Sequence, residues 1–321
     1  MATPRYNLVC LDATRFYHVV SRCVRRAFLC GIDRDTGRNF EHRRQWVVDR
    51  IRILAKTFAI DVASYAVMSN HLHLVLLVDP DRASAWSSEE VVERWERLYG
   101  TPDIIKMATD PNASRAVFNA AQKAIETRRK RLCDISWFMK CLNEFIARKA
   151  NAEDKCTGAF WEGRFKSQAL LDERALLSCM VYVDLNPIRA AMAETPEESE
   201  FTSIRQRVIG ADGGGIPLLP LANEAGSESP VPIGLEDYAE LVDWTGRVVV
   251  QGKRGAIAAD LPPILERLRH SNESWAASMD LFRNAELKVL GPVLAIREFA
   301  TRVSRKWFRG MADCRRALEP G

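Results

Sequence analysis

The sequence has no run of about 18 apolar residues, so hydropathy offers no membrane-spanning helix. Met1 to Asp12 lacks the basic-then-apolar order of a secretory signal, and a cytoplasmic location is the expectation. The eight cysteines, at 10, 23, 30, 133, 141, 156, 179 and 314, form no CxxC pair. That argues against a structural zinc finger and reads as scattered, reduced thiols. A glycine-rich P-loop signature is missing, so nothing points to nucleotide-driven chemistry. Charge of one sign is also missing: 46 Lys and Arg against 42 Asp and Glu leave +4. That balance permits a nucleic-acid partner without demanding one.

What remains is a 321-residue chain with 47% apolar and 27% charged residues, enough for one large domain or two modest ones. Arg15 to Arg22 is a β-branched and aromatic run fit for a strand. From Glu41 to Phe58, Trp46, Val47, Ile51, Leu54, Ala55 and Phe58 recur at helical spacing. Ile60 to Met68 and His71 to Val78 read as strands, and only Ser69 and Asn70 separate them, which predicts a tight antiparallel hairpin. Residues 79–135 look like an insert, with a helix following Ser87-Ser88-Glu89-Glu90. A helix is expected over Ile135 to Ala150, a loop and strand over Gly158 to Leu171, and a helix capped by Asp172 running through Tyr182. Gly and Pro enrichment marks 210–234 as a flexible linker. Residues 235–321 read as a helical extension whose end, Arg297 to Arg316, carries seven cations against two acids.

Two constellations can carry chemistry. Strand side chains alternate, so His71 and His73 share a face while Leu72 points the other way. Their backbones lie about 7 Å apart along the strand, close enough for two imidazoles to meet one divalent cation. The same pair is also what two hydrogen-bonded structural histidines look like. The second constellation is Tyr182 with Asn186, four residues on and on the same helical face. A phenol is a possible nucleophile, though at its ordinary pKa only about 0.1% is ionised at neutral pH and it needs an electropositive setting. Asn186 offers a neutral oxygen as a third ligand. A tyrosine in an apolar helix and an Asn-Pro helix end are common structural features too.

Taken together, four stretches resemble the single-tyrosine HUH transposases, in particular the REP-associated tyrosine transposase branch. They are Tyr17-His18-Val19-Val20-Ser21-Arg22, Tyr65 to His73, Phe160-Trp161-Glu162-Gly163-Arg164-Phe165-Lys166, and Tyr182 to Arg189. The resemblance covers about residues 12–209. It implies an α+β fold with a ferredoxin-like antiparallel sheet backed by helices. It also implies Tyr182 as nucleophile forming a 5′-phosphotyrosine, and His71, His73 and Asn186 as ligands of a divalent metal, Mg or Mn. The implied partner is single-stranded or hairpin-forming DNA, acted on by one chain or by a homodimer. The insert and the basic tail depart from the family's core.

Arg22, Arg25, Arg26, Arg164 and Lys166 are candidate phosphate contacts, and Trp161 and Phe165 candidate stacking platforms for unpaired bases. Arg128-Arg129-Lys130-Arg131 is either a phosphate contact or an exposed helix face. Lys306-Trp307-Phe308-Arg309 could belong to an accessory DNA-binding segment, although no helix-turn-helix is recognisable. Rival readings are a host-adapted DNA-binding protein that no longer transposes, and a metal-dependent hydrolase in which Tyr182 is structural.

Overall fold

β-Branched and aromatic residues extend Phe16–Arg22 into β1, which lies at the centre of the sheet. A computed structural model of the chain describes residues 7–24, 29–33, 36–211, 214–222, 229–249 and 287–318. After β1 the amphipathic stretch Arg43–Thr57 forms α1, burying Val47, Val48, Ile51 and Leu54. Ile60–Val67 (β2) and His71–Val78 (β3) pair antiparallel, and Met68 N–H donates to the His71 carbonyl at 2.8 Å to close the two-residue turn. Lys166–Leu170 (β4) returns to the other edge of β1. The strand order is β2-β3-β1-β4, every neighbour antiparallel. With a helix between β1 and β2 and helices between β3 and β4, that is the expected ferredoxin-like plan.

The sheet has one unexpected member. Val289–Leu290 (β5) pairs parallel with β4, so the region after 235 is not purely helical. A two-residue strand is too short for alternation to announce it. The insert folds as Pro80–Ala85 (α2), Ser88–Tyr99 (α3), Asp103–Met107 (α4) and Arg115–Arg131 (α5). Ser87 caps α3 by accepting from Glu90 N–H, as its spacing predicts. The basic run on α5 is largely occupied within the chain: Arg128 and Arg131 lie over the Trp95 ring, and Arg129 bonds to the Ala83 and Trp86 carbonyls.

Ile135–Asp154 (α6) is capped by Asp134 and runs one turn beyond the expected end. Glu173–Asp184 (α7) is capped by Asp172, and Pro187 leaves only the short turn Asn186–Arg189 (α8) after it. Ser203–Val208 (α9), Leu235–Val249 (α10), Val293–Arg302 (α11) and Met311–Leu318 (α12) complete the described elements.

Helices cover both faces of the sheet. Asn143 of α6 donates to Ser21 Oγ on one face, while α7 crosses the other. The stretch read as a flexible linker is packed where it is described: Ile216, Leu219, Leu221, Val231 and Ile233 are buried, and Leu219 N–H donates to the Val62 carbonyl at 2.8 Å. Its glycines and prolines mark irregular backbone, while the aliphatic residues between them bind it to β2. No described helix is long and apolar enough to cross a membrane.

Candidate active site

Strand register assembles the site. Arg22 lies opposite His71, Val20 opposite His73, and His18 opposite Gln168. Cross-strand partners share a face, so His18, Val20, Arg22, His71, His73, Lys166 and Gln168 all project to the same side of β3, β1 and β4. That side is crossed by α7, which contributes Tyr182. Together with Glu162, Gly163 and Arg164 these residues enclose a cavity of about 320 Å³.

The rings within it are close. His71 and His73 have centroids 4.8 Å apart at 77°. The Tyr182 ring meets His73 edge-on at 5.7 Å and His18 at 6.1 Å. The Arg189 guanidinium lies 5.0 Å from the Tyr182 ring centroid. That guanidinium puts positive charge beside the phenol ring. All of these groups come from one chain.

Hydrogen bonds orient the imidazoles. Asn70 Oδ1 can only accept, so at 2.6 Å it takes the Nδ1 proton of His71 and leaves the His71 lone pair on Nε2. His73 Nδ1 lies 2.9 Å from His18 Nε2, and His18 Nδ1 lies 2.6 Å from Gln168 Oε1. Burial pushes the His18 imidazole down to about 4. Burial, aided by the Arg22 charge, brings His71 to about 4 as well. His73, buried beside two other imidazoles, is held well below the usual histidine range. Lowered in this way, the three imidazoles favour the neutral form, which is the form that binds a metal.

A divalent metal fits part of this arrangement. His73 is only 5% exposed, and its Nε2 is buried with no hydrogen-bond partner among the described residues. An orphaned buried lone pair is costly unless something occupies it. No group of three or more His, Cys, Asp or Glu side chains suited to a metal exists among the described residues, so two imidazoles would need neutral oxygens to complete a shell. Such a mixed nitrogen and oxygen set suits Mn(II) better than Mg(II).

The sequence-derived candidates are sorted by this geometry. His71, His73, Tyr182, Arg22, Arg164 and Lys166 meet at the cavity. Arg25 and Arg26 lie outside the described residues. Asn186 does not line the cavity: its Nδ2 donates to the Tyr182 carbonyl at 2.9 Å, four residues back along its own chain. An asparagine just past a helix end competes for the last carbonyls, and here that local bond holds the amide. Phe165 is buried, and Trp161 is tied to α6 by its Nε1 donating to the Asn143 carbonyl at 2.8 Å, so both are packing residues before they are stacking platforms. Three further residues of the site, His18, Gln168 and Arg189, carry no role that a sequence motif announces. The matching parity of His18 on β1 and Gln168 on β4 could have found the pair once those strands were known to be neighbours.

The sequence matches no family model and no curated protein. Among solved structures, one similar chain is a REP-associated tyrosine transposase bound to a REP hairpin, at 11% identity and a TM-score of 0.31, covering 60% of this chain and 78% of that one. At that level the likeness assigns no residue and no activity.

Proposed function

We propose that this chain is a metal-dependent, tyrosine-nucleophile enzyme that cleaves and rejoins single-stranded or hairpin-forming DNA. One observation carries the proposal: the Tyr182 and His73 rings lie 5.7 Å apart in a single cavity that also holds Arg22, Arg164 and Lys166. A phenol, metal-competent imidazoles and cations around one space are the groups that phosphodiester exchange needs.

In this reading the Tyr182 oxygen attacks a backbone phosphorus. The bond to the 3′-oxygen breaks, a 5′-phosphotyrosine forms, and the phenolic proton ends on the released 3′-hydroxyl. Bond energy is conserved in the phosphotyrosine, so rejoining to another 3′-hydroxyl needs no nucleotide. His71 and His73 would hold the metal, and a bound divalent cation would offset phosphate charge as it rises in the transition state. Asn186 stays the proposed third ligand, and serving as one requires its amide to leave the Tyr182 carbonyl. Arg189 steadies negative charge on the phenol oxygen. Arg164 and Lys166 grip neighbouring phosphates, with Arg22 weakened in that role by its ion pair to Glu162 at 3.6 Å.

The test is incubation of end-labelled single-stranded hairpin DNA with Mn(II) or Mg(II), followed by denaturing electrophoresis. The expected result is a protein–DNA adduct that survives detergent and is absent from Tyr182→Phe. Cleavage without an adduct, retained in Tyr182→Phe, would instead identify a hydrolase. Binding with neither product would leave a DNA-binding protein.

A further inference from the structure

The histidine beside the proposed metal site is itself held by a chain of hydrogen bonds that starts outside the ferredoxin-like core. Gln168 Nε2 donates to the Leu287 carbonyl at 2.8 Å, and a carbonyl can only accept. This fixes which end of the amide is which, so Oε1 must be the atom facing His18 at 2.6 Å. An amide oxygen also only accepts, so His18 carries its proton on Nδ1. In a neutral His18 the other nitrogen, Nε2, is then an acceptor. It faces His73 Nδ1 at 2.9 Å, and His73 must supply the proton.

The rings agree with this. His18 and His73 lie 8° from parallel with centroids 5.2 Å apart, as expected for two imidazoles meeting edge to edge. The alternative, His73 accepting on Nδ1, would require a doubly protonated His18. His18 is 2% exposed and faces a neutral amide, which is no place for a cation. Each link therefore has one direction, and the last link leaves the His73 lone pair on Nε2, the atom with no partner.

We propose that His18 and Gln168, anchored on the Leu287 backbone, are positioning residues that hold His73 in its Nδ1–H tautomer and aim Nε2 at a divalent metal. This rests on the reading of His71 and His73 as ligands. Outer-shell partners of this kind fix ring orientation and tautomer, and their loss weakens metal binding by about 10- to 100-fold. The anchor is supplied by the segment that adds β5: the Lys288 and Leu290 carbonyls accept from the N–H groups of Ala169 on β4 and of Leu171 just past it. The C-terminal region thereby reaches the ligand through three hydrogen bonds.

The test uses the full-length metal-free protein and Mn(II) alone. Long-range ¹⁵N–¹H spectra of histidine-labelled protein, assigned against His73→Asn, should show the Nδ1–H tautomer for His73. Mn(II) affinity should fall about 10- to 100-fold in Gln168→Met, which keeps the side chain's length but not its bonds, and in His18→Leu. His18→Gln, whose amide oxygen reaches the place of Nε2, should recover part of the loss. A His73 protonated on Nε2, or Gln168→Met binding Mn(II) as tightly as the wild type, would overturn the positioning role alone. A wild type that binds no Mn(II) would overturn both this role and the metal in the proposed function. A missing DNA adduct alongside Gln168-sensitive Mn(II) binding would remove the transposase reading and support the relay.

Discussion

Two buried polar clusters sit against α7, one built on Asp184 and one facing the Tyr182 ring two positions earlier, and they end differently. Asp184 is fully buried and accepts from Ser203 Oγ at 2.5 Å, Ile204 N–H at 2.9 Å and Tyr238 O–H at 2.5 Å. Both of its oxygens are met, and the donors come from α9 and α10, so the cluster binds those helices to α7. The chain from Leu287 through Gln168 and His18 is as well satisfied up to its last atom, and there it stops at His73 Nε2. A closed network specifies packing, whereas an open one leaves a polar atom that a bound ion or water must satisfy. The difference separates a structural node on α7 from a reactive one on the strands that the same helix covers.

The sharpest way to break that comparison is to remove the open end. His73→Ala and His71→Ala should each reduce DNA cleavage by more than the roughly 100-fold expected from loss of an outer-shell partner. Affinity for the same oligonucleotide without metal should stay near wild type, because cations at the rim supply it. Anisotropy titration beside the cleavage assay checks this. DNA affinity that falls in step with cleavage would make these histidines DNA contacts instead.

Removing the closed node should act on stability. Asp184→Ala leaves the Tyr238 hydroxyl and the Ile204 N–H without their acceptor, while Ser203 keeps Ser64 Oγ at 2.9 Å, and should cost about 3 kcal/mol, read from urea midpoints. Burial pushes the Asp184 carboxyl up from 3.8 to about 6, against hydrogen bonds that lower it. Because the folded value is the higher one, the native state binds the proton more tightly. That added stability is full below about pH 4 and is lost as pH rises through about 6. The gap is worth about 3 kcal/mol at 1.36 kcal/mol per pH unit. Asp184→Asn should therefore flatten the stability profile between pH 4 and 7. An unchanged slope in that variant would mean the proton is held elsewhere.

The sheet was legible because its strands are local patterns: β2 and β3 are separated by two residues, and His71-Leu72-His73 declares its own face by alternation. Tyr182 was legible as part of a helix that starts at an obvious cap, Asp172. His18 and Gln168 were not, because they lie 150 residues apart and meet only through the β1–β4 register, which no short window contains. Leu287 was further out of reach, since its contribution is a backbone carbonyl that any residue would provide. Asn186 is the opposite case. Helical spacing correctly placed it beside Tyr182, but spacing does not reveal that the amide bonds to a carbonyl of its own helix.

The smallest expected effects belong to the cations, and they too divide into structural and reactive kinds. Arg43 is almost wholly buried and held by Glu153 at 2.6 Å and Asp154 at 2.7 Å, so its charge is spent inside the fold. Lys166 is exposed at the cavity, while Arg22 shares its charge with Glu162 across 3.6 Å at side chains roughly half exposed. An exposed pair of that kind is worth at most about 1 kcal/mol, yet it still offsets part of the positive field a phosphate would meet. Lys166→Ala should therefore lower the slope of log affinity against log salt by about 0.7, the value for one phosphate contact on a single strand. Arg22→Ala should lower it by less, and neither change should move the urea midpoint. Metal-free anisotropy titrations across a salt series measure both slopes. Equal slopes for Arg22→Ala and Lys166→Ala would show that Glu162 turns away when DNA arrives. A slope unchanged by Lys166→Ala would put the strand on another face of the protein.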